Sequence, residues 1–245
     1  MEAAVANLLS SNDKALIVVG GSFGRRFSEL CDIHGVPHDD VIVPMGKTLI
    51  SEVLSDYDQG GYSALLVNIH ETSTGVLYDA EMLSVFCKKK NCLFIMDAIS
   101  SFLADPLNMA ELGVDVFISG SQKALACPPR GVSLVALSDR AQQRLEAIDS
   151  GYMYLDLKRA LKDGERGQTP FTPAVGLLKQ INVRLKQLEK TDMWRTTYLQ
   201  EGISLILWKG SLKRKRERIR LHVRGINRQH RKNTTRNKPT IFSTN

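Results

Sequence analysis

Continuous apolar runs constrain this chain more than any other feature: residues 15–20 (ALIVVG), 64–69 (ALLVNI) and 92–96 (CLFIM). A strand with one solvated face alternates apolar with polar residues, whereas a strand covered on both faces reads as an unbroken apolar run. Further runs at 41–44, 116–119 and 132–137 extend the set. Between them, residues 23–34, 47–57 and 79–90 carry helical spacing, the last ending in Lys88-Lys89-Lys90, which favours a helix C-terminus. Strands alternating with helices predict an α/β fold, a mainly parallel sheet between helices. Such sheets place ligands at the carboxyl ends of their strands, so the residues just after each apolar run are the ones that matter.

Beyond the strands, residues 139–149, 152–163 and 174–188 read as helices, and 164–172 (GERGQTPFT) as a loop. The pattern breaks near residue 195. Residues 195–245 hold 14 Lys and Arg against 2 Asp and Glu, although the whole chain carries only +7. The sequence therefore divides into a mildly acidic body, 1–194, and a basic tail, 195–245. Within that tail 203–208 (ISLILW) is an isolated apolar run, and the rest has too little apolar material to bury. The tail is expected to be disordered or unrelated to the body. It also offers a second function: residues 213–238 would bind nucleic-acid phosphates without sequence preference. Residues 213–220 imitate a nuclear-localisation cluster. A basic segment of no selected function is the simpler expectation.

No apolar run approaches the ~20 residues that span a bilayer, and the N-terminus has no basic region or cleavage-site pattern. Four cysteines (Cys31, Cys87, Cys92, Cys127) lack a C-x-x-C spacing and read as reduced thiols. A cytoplasmic location and no membrane association are the expectations. Five histidines show no metal-ligand spacing.

Three segments at strand ends carry candidate chemistry. His70-Glu71-Thr72-Ser73-Thr74-Gly75 places three hydroxyls before a glycine, suited to a polar ligand or to an ST-type turn. Asp97 follows an apolar strand, where an unpaired charge is costly. It calls for a cationic partner or serves as a helix cap. Lys123 lies in the Gly/Ser turn Ser119-Gly120-Ser121-Gln122-Lys123-Ala124. It is either surface decoration, the usual fate of lysine, or a Schiff-base lysine.

Together these blocks, HETSTGVL, FIMDAISS and SGSQKALACPP, resemble the signature blocks of class V aminotransferases, in the alanine–glyoxylate branch. The resemblance runs from Met1 to about Leu188. It implies the large domain of a fold-type I aminotransferase that uses pyridoxal 5'-phosphate. Lys123 would carry the cofactor as a Schiff base and shuttle the substrate proton, and Asp97 would keep the ring nitrogen protonated. Thr72 would sit beside the cofactor, Gln122 on its phosphate side and Ile99 against the ring. Thr172 would reach the phosphate of a neighbouring subunit, which implies a homodimer. The substrates implied are an amino acid of alanine or serine type and a 2-oxo acid such as glyoxylate or pyruvate. A 2-aminoethylphosphonate–pyruvate transaminase is the nearest rival.

Two parts of that family's pattern are missing. The phosphate-binding loop would lie upstream of Met1, and the tail does not resemble the C-terminal small domain, whose arginine grips the substrate carboxylate. Arg130 interrupts a Pro-Pro-Gly turn. The sequence thus reads as a partial frame, with an inactive fragment as one expected outcome.

Overall fold

The computed structural model describes residues 1–127, 131–149 and 151–188, and the backbone of 197–198, 204–208 and 241–242. In chain order the elements are α1 (Glu2–Leu8), β1 (Ala15–Val19), α2 (Ser22–Ile33), β2 (His38–Ile42), α3 (Ser51–Ser55), β3 (Ala64–Asn68), β4 (His70–Glu71), β5 (Val76–Leu77), α4 (Ala80–Lys90) and β6 (Leu93–Asp97). They continue with β7 (Leu107–Asn108), α5 (Met109–Leu112), β8 (Val116–Gly120), β9 (Ser133–Leu137), α6 (Asp139–Ala147), α7 (Leu157–Glu165), α8 (Val175–Leu188), β10 (Thr197–Tyr198), β11 (Ser204–Trp208) and β12 (Ile241–Phe242).

The main sheet has the order β12-β11-β9-β8-β6-β3-β1-β2. From β8 to β2 every pair is parallel, and β9 runs antiparallel to β8. Strands β1, β3, β6 and β8 are buried along their whole length, because helices cover both faces. One face packs Phe27 of α2, Val5 and Leu8 of α1, Leu145 of α6 and Leu157 of α7 against Ile17, Leu66 and Ile95. The other packs Leu83 and Phe86 of α4, Met109 of α5 and Ile181 of α8 against Leu65, Phe94 and Phe117. Each fully buried aliphatic or aromatic side chain contributes about 1.5–3 kcal/mol. The α/β architecture expected from the apolar runs is the one observed.

Several boundaries differ from the sequence reading. Strand β2 lies at 38–42 rather than 41–44: polar His38-Asp39-Asp40 pair with β1 at the sheet edge, where half-exposed residues are tolerated. The helical spacing over 47–57 yields only the five-residue α3. Helix α7 starts at Leu157 rather than 152, because the Asp156 side chain caps it by accepting the Arg159 N–H at 2.8 Å. The run ISLILW is not isolated: β11 pairs antiparallel with β9, Leu205 opposite Ala136. The rest of the tail, including 213–238, lies outside the described residues apart from the strand segments named. So does Arg130.

Candidate active site

Because β1, β3, β6 and β8 are parallel, their carboxyl ends share one edge of the sheet. Asp97 ends β6, in register with Asn68 of β3 and Ile118 of β8. It is 1% exposed. Its Oδ1 accepts the Ile99 backbone N–H at 3.0 Å, and its Oδ2 accepts the Asn68 amide Nδ2 at 3.0 Å. Both donors are neutral. None of the described residues forms an ion pair with Asp97. Nor does Asp97 cap a helix; its bond to the residue two ahead shapes the turn that leaves β6. Burial pushes its carboxyl above the usual aspartate range, against the hydrogen bonds and the charges of the Met1 amino group and Arg26.

Lys123 projects from the turn that follows β8. Ser121 closes that turn: its N–H donates to Val132 O at 2.9 Å, and its Oγ accepts the Val132 N–H at 2.8 Å. Its carbonyl accepts the Cys127 N–H at 2.9 Å. Gly131 permits this closure, since a Cβ there would lie 2.3 Å from Ser121 Oγ. From α8, Arg184 Nε donates to Leu125 O at 3.2 Å and ties the far side of the turn. The turn is anchored, while Lys123 itself is exposed and none of the described residues bonds its amine.

The HETSTG block divides its labour in a way the sequence reading missed. Glu71, fully buried, accepts the Gly24 N–H at 2.8 Å and the Phe23 N–H at 3.4 Å in the first turn of α2. Ser73 Oγ accepts the Ser22 N–H at 3.1 Å and donates to Glu71 Oε1 at 2.5 Å. Helix α2 has no cap of its own at Gly21, so these two residues supply one from across the site. Thr72 is left exposed beside them, four residues past Asn68. His70 Nδ1 of β4 lies 3.2 Å from Asp105 Oδ2, in the segment that follows β6.

Ile99 is half-buried, on the turn its own N–H helps to hold. Gln122 is exposed, beside Lys123; a Cβ on Gly120 would lie 2.6 Å from its Oε1. Thr172 is exposed on residues 167–173, which line an open concavity of their own. The structure thus gathers Asp97, Ile99, Thr72, Gln122 and Lys123 along one edge of the sheet. No hydrogen bond among the described residues links Thr172 to them. Asn68 was legible as the lone polar residue inside ALLVNI; Glu71 carried no comparable signal.

The sequence profile of the class V aminotransferases matches residues 41–203. The chain belongs to the class V aminotransferase family. It is 34% identical over 194 residues to the small subunit of a soluble hydrogenase of Synechococcus sp., covering 77% of this chain and 50% of that protein. A subgroup IV aspartate aminotransferase of Thermus thermophilus superposes with a TM-score of 0.71 at 38% identity, over 77% of this chain and 53% of its own. An alanine–glyoxylate aminotransferase of Nostoc sp. superposes with a TM-score of 0.75 at 27% identity, over 80% and 53%. The chain therefore spans about half the length of the relatives it matches. This family uses pyridoxal phosphate, and the overlap with these structures is the fold-type I large domain.

Proposed function

We propose that this class V aminotransferase chain binds pyridoxal 5'-phosphate through Asp97 and Lys123. In that role it moves an amino group from an amino acid of alanine or serine type to a 2-oxo acid such as glyoxylate or pyruvate. One observation carries the reading. Asp97 is a buried carboxylate that, among the described residues, accepts hydrogen bonds from neutral donors alone, one strand away from the turn that bears Lys123. A buried carboxylate with no cation in contact is costly, and a protonated ring nitrogen is the partner that would relieve the cost. The residues present fit the group.

The bound cofactor supplies an electron sink for the charge left when the substrate α-carbon loses its proton. Asp97 would hold a proton at the ring nitrogen and so keep that sink open. Lys123 Nζ, on an anchored turn but free of bonds to the described residues, would take the α-carbon proton and return it elsewhere. Ile99 would pack on the ring, with Thr72 and Gln122 as polar neighbours. Thr172 would serve a second subunit, so the reading includes a homodimer. Four buried free cysteines fit a reducing, cytoplasmic compartment, and no helix among the described residues is long and apolar enough to cross a membrane.

The test is titration of the purified chain with pyridoxal phosphate, followed by visible absorbance and by ultrafiltration of bound cofactor. The parent should show the band of a lysine-bound cofactor, and Lys123→Ala should lose the band. Equal spectra from the two proteins would contradict the assignment.

A further inference from the structure

We propose that Asn68 is a positioning residue for Asp97, orienting its carboxylate toward the ring nitrogen of the cofactor. The inference rests on the cofactor reading above and goes beyond it to a residue outside the family's signature blocks in this sequence.

Asn68 is the last residue of β3, 4% exposed, in a strand otherwise wholly apolar. Register places it directly opposite Asp97, so the two side chains leave the sheet on the same face. That face carries Ile17, Leu66, Ile95 and Ile118, and an asparagine there displaces an aliphatic side chain that would pack without loss. Its Nδ2 spends one hydrogen on Asp97 Oδ2 at 3.0 Å. Its Oδ1 is buried and has no hydrogen-bond partner among the described residues. Leaving an amide oxygen unpaired is unfavourable, so the asparagine is not accounted for by core stability. The bond to Asp97 accounts for it.

The Ile99 N–H fixes one carboxylate oxygen and Asn68 the other, so the plane of the carboxylate is set from two directions. An amide N–H bonds more strongly to an ionised carboxylate oxygen than to a protonated one, and therefore favours the anion. The charged groups acting on Asp97 besides these two donors are the Met1 amino group and Arg26. The Met1 amino group acts on Asp97 more strongly than the Asn68 bond does, but neither charge fixes the plane of the carboxylate as a directed bond does. Without Asn68, burial would act on Asp97 with one opposing bond fewer, and the carboxyl would hold its own proton more often instead of supporting one on the ring.

The experiment compares the parent chain with Asn68→Leu. Asp97 is followed by carboxyl carbon NMR in aspartate-labelled protein without cofactor, its signal assigned with Asp97→Asn. Pyridoxal phosphate affinity is measured beside it. Loss of one bond to a charged oxygen should lower the ionisation constant of Asp97 about tenfold and weaken cofactor binding by a similar factor. If Asn68→Leu does not fold, Asn68→Val, smaller and suited to a strand, should shift the titration in the same direction. An unchanged Asp97 titration overturns the proposal whatever the cofactor does. A shifted titration in a chain that binds no cofactor leaves the Asn68–Asp97 contact in place and overturns the cofactor reading instead.

Discussion

Glu71 reaches from β4 to the first turn of α2, where its Oε2 accepts the Gly24 N–H at 2.8 Å. The residues are 47 apart in sequence, so a long-range contact performs what an N-cap residue does locally. The carboxylate also sits where the positive end of the helix dipole favours it. Glu71→Ala strands the first-turn N–H groups in a buried site and should destabilise the chain by about 2–3 kcal/mol. Ser73→Ala, which removes the exposed hydroxyl's bonds to the Ser22 N–H and to Glu71 Oε1 but leaves Glu71 on the helix, should cost less, about 1 kcal/mol. Urea unfolding of the two variants checks the order. Equal, near-zero losses would show that α2 does not depend on the block.

Gly24 answers to a different constraint. A Cβ there would lie 2.5 Å from the Val18 carbonyl oxygen and 3.1 Å from Val19 Cα, both backbone atoms of β1. Neither can rotate away, so Gly24→Ala must push α2 off the sheet. Overpacking of this kind costs about 1–3 kcal/mol, more than alanine's better helix propensity returns. A raised denaturation midpoint for Gly24→Ala would contradict the close approach of α2 to β1.

The sequence made the sheet legible where burial is two-sided. Residues 15–19, 64–68 and 93–97 are unbroken apolar runs apart from the final Asn68 and Asp97, and all three are strands. It failed at β2, whose His38, Asp39 and Asp40 gain their strand conformation from pairing with β1 rather than from their own character. The turn residues Asp97 and Lys123 stood out because each follows such a run. The partners that shape their surroundings did not. Glu71 looked like part of a hydroxyl-rich grip, because its targets in α2 are distant in sequence. Asn68 was absorbed into the apolar run 64–69, because its significance depends on the strand register that sets it beside Asp97.

Asp13 makes stability depend on pH. Burial acts to raise its carboxyl, but hydrogen bonds from Ser10 and Ser63 and the charge of Arg144 outweigh it and hold it below the usual aspartate value. Arg144 Nη2 lies 2.7 and 2.6 Å from its two oxygens. A folded-state pKa below the unfolded value of ~3.9 adds stability that is complete above that value. The contribution fades as pH falls through the folded pKa. Asp13→Asn should therefore be clearly less stable than the parent at neutral pH, with the gap closing below about pH 4. Urea midpoints at several pH values measure this; a gap that stays constant into acid would mean Asp13 is not held ionised by these partners.

Asp97 and Lys123 should also separate by function when changed singly. Asp97→Asn keeps the shape of the buried site but can no longer support a proton on a ring nitrogen. Removing an interaction that operates in the transition state lowers kcat and kcat/KM together. Asp97→Asn should therefore retain measurable cofactor binding while any amino transfer by the parent falls at least a hundredfold. Half-reaction kinetics with an amino donor and glyoxylate would show this. A variant with undiminished turnover would remove Asp97 from the chemistry.

The most direct measurement is reduction of the cofactor-treated chain with borohydride, followed by peptide mapping. Borohydride makes a lysine–cofactor linkage permanent, so the modified residue can be read off. If Lys123 is the cofactor lysine, the phosphopyridoxyl group should be found on Lys123 in preference to every other lysine. Modification spread over surface lysines, or concentrated on a different one, would contradict the assignment of this turn as the cofactor site.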